Sequence, residues 1–113
     1  MLPDQVPPLG QGVWAPFFGR PAYTMTLLQR LAQQTGAHVF LCVCERLRGA
    51  RYAIRFEAFD GTAMSDPRST PEQAAAALNA GVEAAIRRLP GQYVWDYARF
   101  KQPKAEAPES AAA

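Results

Sequence analysis

The sequence predicts an α/β domain with a mixed β-sheet flanked by helices, and three observations carry that prediction. Val39-Phe40-Leu41-Cys42-Val43-Cys44 is apolar at every position, the pattern of a strand covered on both faces. Arg51 to Phe59 alternates instead, with Tyr52, Ile54, Phe56 and Ala58 on one side and Arg51, Arg55 and Glu57 on the other, the pattern of a strand covered on one face. Two stretches of helical period, from about Pro21 and from Thr70, bracket this pair.

Taken in order, Met1 to Gln11 contains Pro3, Pro7, Pro8 and Gly10 and reads as an irregular lead-in. Val13 to Phe17 reads as a short strand, with Pro16 confining it to an edge, a bulge or a strand end. The following Gly19-Arg20-Pro21 reads as a tight corner feeding a helix, because a proline in a first helical turn loses no hydrogen bond. Thr24, Leu27, Leu28, Leu31 and Ala32 then fall at helical spacing, and Gly36 stands where a left-handed C-terminal residue belongs. After the two strands joined at Arg48-Gly49 comes a loop from Asp60 to Ser69. Thr70, Pro71 and Gln73 spell a capping box with proline at the first helical position. The helix they start is expected to reach about Leu89, burying Ala74, Leu78, Val82, Ala85, Ile86 and Leu89, with Glu83 and Arg87 paired on the wet side. Pro90-Gly91 stops it. Residues 1–101 are assigned to one domain portion, and residues 102–113, rich in Pro, Ala and Glu, to a disordered tail.

Composition narrows the classes of function. At 113 residues and 49% apolar the chain has room for one core. A net charge of +2 spread along the sequence lacks the basic run of a nucleic-acid tail, and no nucleic-acid partner is expected. Cys42 and Cys44 stand two apart on one face of a strand; they are too close for a disulfide and too few for a metal site, so they read as small buried apolar groups. Neither a metal nor a cofactor is expected. The longest apolar run, Val39 to Cys44, is too short to cross a bilayer.

Candidate chemistry is sparse. His38 is the sole histidine; at the mouth of a strand it reads as a structural residue, and no nucleophile elbow or phosphate-cradling loop accompanies it. No catalytic residue is assigned. Asp4 beside Gln5 reads either as a positioning carboxylate or as a turn residue between prolines. Phe17-Phe18-Gly19-Arg20 reads either as a ligand site, where glycine admits a ligand to the backbone and arginine grips phosphate, or as core aromatics beside a solvated charge. Gln92 to Lys101, with Tyr93, Trp95, Tyr97 and Phe100 among Asp96, Arg99 and Lys101, reads either as a surface for an anionic or membrane ligand or as a C-terminal helix docked by its aromatics.

Several of these blocks together resemble a known family. Leu2-Pro3-Asp4-Gln5, Gly12 to Thr24 with its Pro-Phe-Phe-Gly centre, Thr35-Gly36-Ala37, Leu78-Asn79 with Glu83, Ile86 and Arg87, Gln92-Tyr93-x-Trp95 and Arg99-Phe100-Lys101 resemble the late lipid A acyltransferases, the lauroyl and myristoyl transferases of Gram-negative bacteria. The resemblance implies the C-terminal half of a glycerolipid-acyltransferase-like fold. It also implies transfer of a fatty acyl chain from acyl carrier protein to a lipid A precursor, at the cytoplasmic face of the inner membrane and in contact with the membrane surface. Such enzymes take their general base from a His-x-x-x-x-Asp/Glu pair. Here the residue five after His38 is Val43, so the motif is expected upstream of Leu2 and the chain is expected to be inactive alone. Substrate-binding roles implied by the resemblance fall on Asp4, Gln5, Phe17, Phe18, Gly19, Arg20, Thr24, Arg99 and Lys101. A non-catalytic module binding lipid or carrier protein, and an acyltransferase of another glycolipid, are the alternatives.

Overall fold

The computed structural model describes residues 1–105. Two antiparallel hairpins, each a separate two-stranded sheet, pack with helices in the order β1 (Gly12–Phe17), β2 (Arg20–Met25), α1 (Leu27–Thr35), β3 (Phe40–Arg46), β4 (Tyr52–Ala58), α2 (Thr62–Ser65) and α3 (Pro71–Arg88), followed by a short 3-10 turn, Pro90–Gln92. The α/β character is as the sequence predicts. The single mixed sheet resolves into two hairpins.

The largest departure lies at Gly19-Arg20-Pro21, where a second strand stands in place of the start of a helix. Phe18 and Gly19 both have positive φ, 49° and 73°, the backbone of a two-residue hairpin turn whose twist matches the flanking strands. Phe17 and Arg20 flank it, and Pro16 faces Pro21 in the next pair. In such a hairpin the pair flanking the turn exchanges hydrogen bonds and the next pair exchanges none. Both prolines thus stand where the ladder asks for no N–H, and the residues that seemed to forbid a second strand are accommodated in it.

Helix α1 therefore starts at Leu27 and closes at Gly36, which has φ 68° and donates its N–H to the Ala32 carbonyl, as the sequence predicts. Because the helix begins late, its buried residues are Gln29 and Ala32, while Leu27 and Leu31 remain 46% and 41% exposed. Helix α3 carries the full capping box: the Thr70 hydroxyl accepts from the Gln73 N–H at 3.1 Å and the Gln73 side chain accepts from the Thr70 N–H at 2.9 Å. Its buried stripe is Ala74, Ala75, Leu78, Asn79, Val82 and Ile86; Ala85 and Leu89 are half-buried. Glu83 lies within 3.9 Å of Arg87, but its closer partner is the hairpin turn, where it accepts from the Phe18 N–H at 2.5 Å.

The core gathers Phe17, Ala22, Ala32, Met64, Ala74, Leu78, Val82 and Ile86, so α3 forms its floor with the β1–β2 hairpin on one side and α1 and α2 on the other. The β3–β4 hairpin sits at the margin. Its inward residues Leu41, Val43, Ala53 and Glu57 are half-buried and its outward ones are exposed. The expectation of a strand covered on both faces is thus corrected: helices cover one face only, and Cys42 and Cys44 are exposed rather than buried. His38 is exposed as well.

Beyond Gln92 the chain forms turns rather than a helix. Of the segment expected to be a disordered tail, residues 102–105 are placed, and the Lys104 carbonyl accepts from the Leu9 N–H at 3.0 Å; residues 106–113 lie outside the described residues.

One close approach makes the β1–β2 hairpin sensitive to a single atom. A Cβ on Gly12 would lie 2.6 Å from the Thr24 carbonyl oxygen and 2.8 Å from both Pro7 Cγ and Tyr23 Cε2. Gly12→Ala should accordingly lower the unfolding free energy by about 2 kcal/mol, the usual cost of overpacking, read from the denaturant midpoint at unchanged slope; an unchanged midpoint would show that the strands part without strain.

Candidate functional site

The hairpin tip, the end of α3 and the segment after Gln92 enclose a groove of about 460 Å³. Its lining includes Phe17, Phe18, Arg20, Tyr93, Trp95, Tyr97, Arg99, Phe100 and Lys101. Five of the residues singled out from sequence, Phe17, Phe18, Arg20, Arg99 and Lys101, meet here although 79 or more positions separate the two groups in the numbering of the chain.

Aromatic rings make the walls. Phe17 and Phe18 stand edge to face at 4.8 Å, Tyr93 and Trp95 at 4.9 Å, Phe18 lies 6.0 Å from Trp95, and Phe17 lies 5.9 Å from Phe100. Cations ride on these rings: Arg20 over Phe100 at 4.3 Å, Arg87 over Phe18 at 4.9 Å, Lys101 over Tyr97 at 5.1 Å and Arg99 over Phe17 at 5.3 Å. Each such contact favours the charge, and at the exposed Arg20 and Lys101 it leaves the outer side open to an anion. No carboxylate lines the groove among the described residues, so its chemistry is apolar rings under a cationic rim.

The residues from the sequence blocks divide by depth. Phe18 is half-buried and Arg20 and Lys101 are exposed, so these three can touch a ligand. Gly19 is at the exposed tip, with φ 73° and nothing within 4 Å of a Cβ placed on it; its part is the turn itself. Thr24 is fully buried. Its hydroxyl donates to the Ala22 carbonyl at 3.0 Å and accepts from Asn79 and Arg99, each at 2.9 Å. Arg99, only 3% exposed, donates to the Tyr23 carbonyl at 2.6 Å and to Asn79 Oδ1 at 3.4 Å. Thr24 and Arg99 therefore lie beneath the groove as supports, and the guanidinium adds positive charge from below.

Asp4 is half-buried and acts on this same cluster, while Gln5 turns away. Gln5 borders a separate cavity of about 490 Å³ with Val6, Pro7, Met25 and Leu27 among its walls. Val6 donates its N–H to the Tyr97 hydroxyl at 2.8 Å, which pins the lead-in against the C-terminal segment. Burial, followed by the Asp4 charge, pushes the Tyr93 hydroxyl up to about 12, with Arg99 acting in the opposite direction. Burial holds the Arg99 guanidinium below the usual arginine value, and Tyr93, Asp4 and Tyr97 counteract it. The Tyr93 hydroxyl and Arg99 Nε are buried without a hydrogen-bond partner among the described residues.

With this geometry in view, the comparison with protein families decides the relationship. The family model for bacterial lipid A biosynthesis acyltransferases matches residues 1–102. The chain belongs to that family. No curated protein matches it. As a lipid A biosynthesis acyltransferase relative, the chain has no described helix long and apolar enough to cross a membrane.

Sequence reasoning weighed the aromatics of the C-terminal segment as a binding surface but placed none of them among the substrate-binding residues, and it gave Asn79 and Glu83 no organising role. A signal was present for Asn79, an amide in the apolar stripe between Ala75, Leu78 and Val82. Glu83 gave none, because its partner is a backbone N–H at the tip of a distant hairpin.

Two measurements check the buried cluster. Arg99→Met should destabilise the fold by about 3 kcal/mol, since it strands the Tyr23 carbonyl and Asn79 Oδ1, and Arg99→Lys should not restore it, because one ammonium cannot span three acceptors. Of the four tyrosines, one should ionise only near pH 12 in an ultraviolet titration, and Tyr93→Phe should abolish that step. A raised phenol value in the fold means that the stability it contributes is complete below pH 10 and is lost as pH climbs from the ordinary 10.0 to about 12. Asp4→Asn should bring the late step forward.

Proposed function

We propose that this chain forms one wall of an acyltransferase site that moves a fatty acyl chain from acyl carrier protein to a hydroxyl of a lipid A precursor. The groove between the β1–β2 tip and residues 93–101 takes the anionic, acylated acceptor. The observation that carries this reading is the pairing of an aromatic lining with Arg20 and Lys101 at the rim, together with membership of the family. Rings accept acyl or sugar faces and the cations accept phosphate, which is the division of labour that an amphiphilic phosphorylated lipid requires. In the reaction the acceptor oxygen bonds to the thioester carbonyl carbon, its proton passes to a base and the carrier thiolate leaves. Within this chain the groove binds and orients; it holds no His-x-x-x-x-Asp/Glu pair, and exposed His38 lines a different cavity with Asp60 and Ser65. The base is thus supplied from outside these residues. The site of action is the cytoplasmic face of the inner membrane, where a lipid A precursor and its carrier-bound donor meet.

The non-catalytic alternative, a lipid- or carrier-binding module, shares this groove and differs only in whether a base-bearing wall joins it. Trp95 reports on the groove, and Trp14, the other tryptophan, packs on Tyr23 at 5.3 Å instead. In a Trp14→Phe background a phosphorylated, acylated glucosamine disaccharide should shift Trp95 fluorescence saturably. Arg20→Gln and Lys101→Gln should each weaken that binding by about tenfold, the scale of one charge-assisted contact. The purified 113-residue chain should transfer no acyl group from acyl carrier protein. Turnover by it would overturn the division between wall and base; an unchanged Trp95 signal would overturn the groove assignment.

A further inference from the structure

The free edge of β3 is gripped at one point by a side chain. Leu47, just past the strand, donates its N–H to the Arg51 carbonyl at 2.8 Å. Bonded and non-bonded pairs alternate along an antiparallel ladder, so the preceding pair, Arg46 with Tyr52, exchanges no bond, and the Arg46 N–H and carbonyl point away from β4. Gln92 takes both. The Arg46 N–H donates to Gln92 Oε1 at 2.7 Å, and Gln92 Nε2 donates to the Arg46 carbonyl at 3.1 Å. A primary amide carries the same donor and acceptor as a peptide group, so this side chain pairs with β3 as a neighbouring strand would.

The strand that Gln92 holds is itself seated on α3. Phe59, one residue past β4, lies against Gly81, where a Cβ would come within 2.5 Å of its ring. Val39 and Leu41 pack on the core, and Arg88 in the last turn of α3 pairs with Glu57. The hairpin is thus a fixed bracket beside the end of α3. On the other side of the clamp stands the groove wall. Gln92 closes the 3-10 turn and Tyr93, next in the chain, lines the groove. The Trp95 indole N–H donates back to the Pro90 carbonyl at 2.7 Å, and its ring meets Tyr93 at 4.9 Å and Phe18 at 6.0 Å. Backbone bonds within the wall are short-range, from Trp95 N–H to the Tyr93 carbonyl and from Arg99 N–H to the Tyr97 carbonyl. Side-chain bonds at Tyr97 and Arg99 hold its far part. Its near part, which carries Tyr93 and Trp95, is held through Gln92.

We propose that Gln92 is a positioning residue of the acceptor groove: by clamping the β3 backbone it sets Tyr93 and Trp95 opposite Phe18 before a ligand arrives. The role rests on the reading of the groove as the acceptor's site, and it deepens that reading by giving the β3–β4 hairpin a part in binding although no residue of the hairpin lines the groove. Gln92 touches none of the groove's ligand-facing side chains through its amide; it acts through the turn it ends. A wall ordered in advance spares the ligand the entropy of ordering it. Glutamine alone fits the task at this reach, since an ionised glutamate offers two acceptors and no donor to the Arg46 carbonyl.

The Trp14→Phe chain, in which Trp95 is the sole tryptophan, supplies the test. In the free chain Gln92→Ala should flatten the near-ultraviolet circular dichroism of the Tyr93–Trp95 pair. It should also weaken binding of the phosphorylated, acylated glucosamine disaccharide by about fivefold, the scale of the lost bonds. The denaturant midpoint should barely move, because Gln92 and Arg46 are both exposed and exposed bonds add little to the fold. Gln92→Glu should behave as Gln92→Ala does at neutral pH. Arg46→Pro removes the gripped N–H and none that pairs with β4; it should repeat both losses, and joining it to Gln92→Ala should add nothing further. An unchanged spectrum and affinity in Gln92→Ala would overturn the proposal. So would a midpoint that falls as far as in Arg99→Met, which would make Gln92 a brace of the whole fold rather than of the wall. Absence of binding by the Trp14→Phe parent would count instead against the groove reading, and the spectrum of the free chain would still decide whether Gln92 sets the wall.

Discussion

A single buried guanidinium holds together the parts from which the groove is built. Arg99 belongs to a segment without regular secondary structure, yet it is among the least exposed residues, and its acceptors lie on β2 and α3: the Tyr23 carbonyl, the Thr24 hydroxyl and the Asn79 amide oxygen. No carboxylate takes part in these bonds. An arginine in this setting stays charged, because its ordinary value lies far above any working pH even after burial lowers it. The neutral dipoles must therefore carry the solvation that water would otherwise supply. This makes the bundle of bonds all-or-none: if one acceptor moves, a desolvated charge is left short, and the C-terminal segment loses its seat.

The placement of the groove follows from that tie and from a second one at the hairpin tip. Phe18 and Gly19 turn the chain with positive φ, and Glu83 of α3 takes the Phe18 N–H that the turn presents. Arg87, one helical turn further on, then reaches over the Phe18 ring. Helix α3 thus fixes the tip from below through Asn79 and from the side through Glu83 and Arg87. The rim cations Arg20 and Lys101 remain at the surface because both rest on rings that the buried bonds hold still. Positive charge in the groove is therefore layered, fixed beneath and adaptable above, which suits a ligand that presents anionic groups on an apolar body.

Local signals were legible wherever a few neighbouring residues decide the backbone. Thr70, Pro71 and Gln73 close their capping box within one turn, and Gly36 ends α1 through its own left-handed conformation, so both boundaries could be read directly. The β1–β2 hairpin could not. Pro16 and Pro21 each argue against a strand when read singly, and only their position opposite one another across a two-residue turn makes them harmless. The apolar run of β3 shows the converse case. Its pattern reports a strand suited to cover on two sides, whereas the fold of the described residues covers one, and the outward residues are left on a bare face.

What the sequence determined by itself was the α/β class, the C-terminal end of α1 and both ends of α3, the absence of a His-x-x-x-x-Asp/Glu pair and some of the blocks that proved to be neighbours. These follow from short-range sterics, hydrogen bonding and plain residue identity. The tertiary structure alone decided which residues of those blocks reach the surface of the groove and which lie buried beneath it. Thr24 and Arg99 look like candidate contacts in a linear reading, yet they are buried, because burial is set by what packs over a residue from distant parts of the chain. The choice between touching a substrate and supporting the residue that does depends on depth, and depth has no local signature.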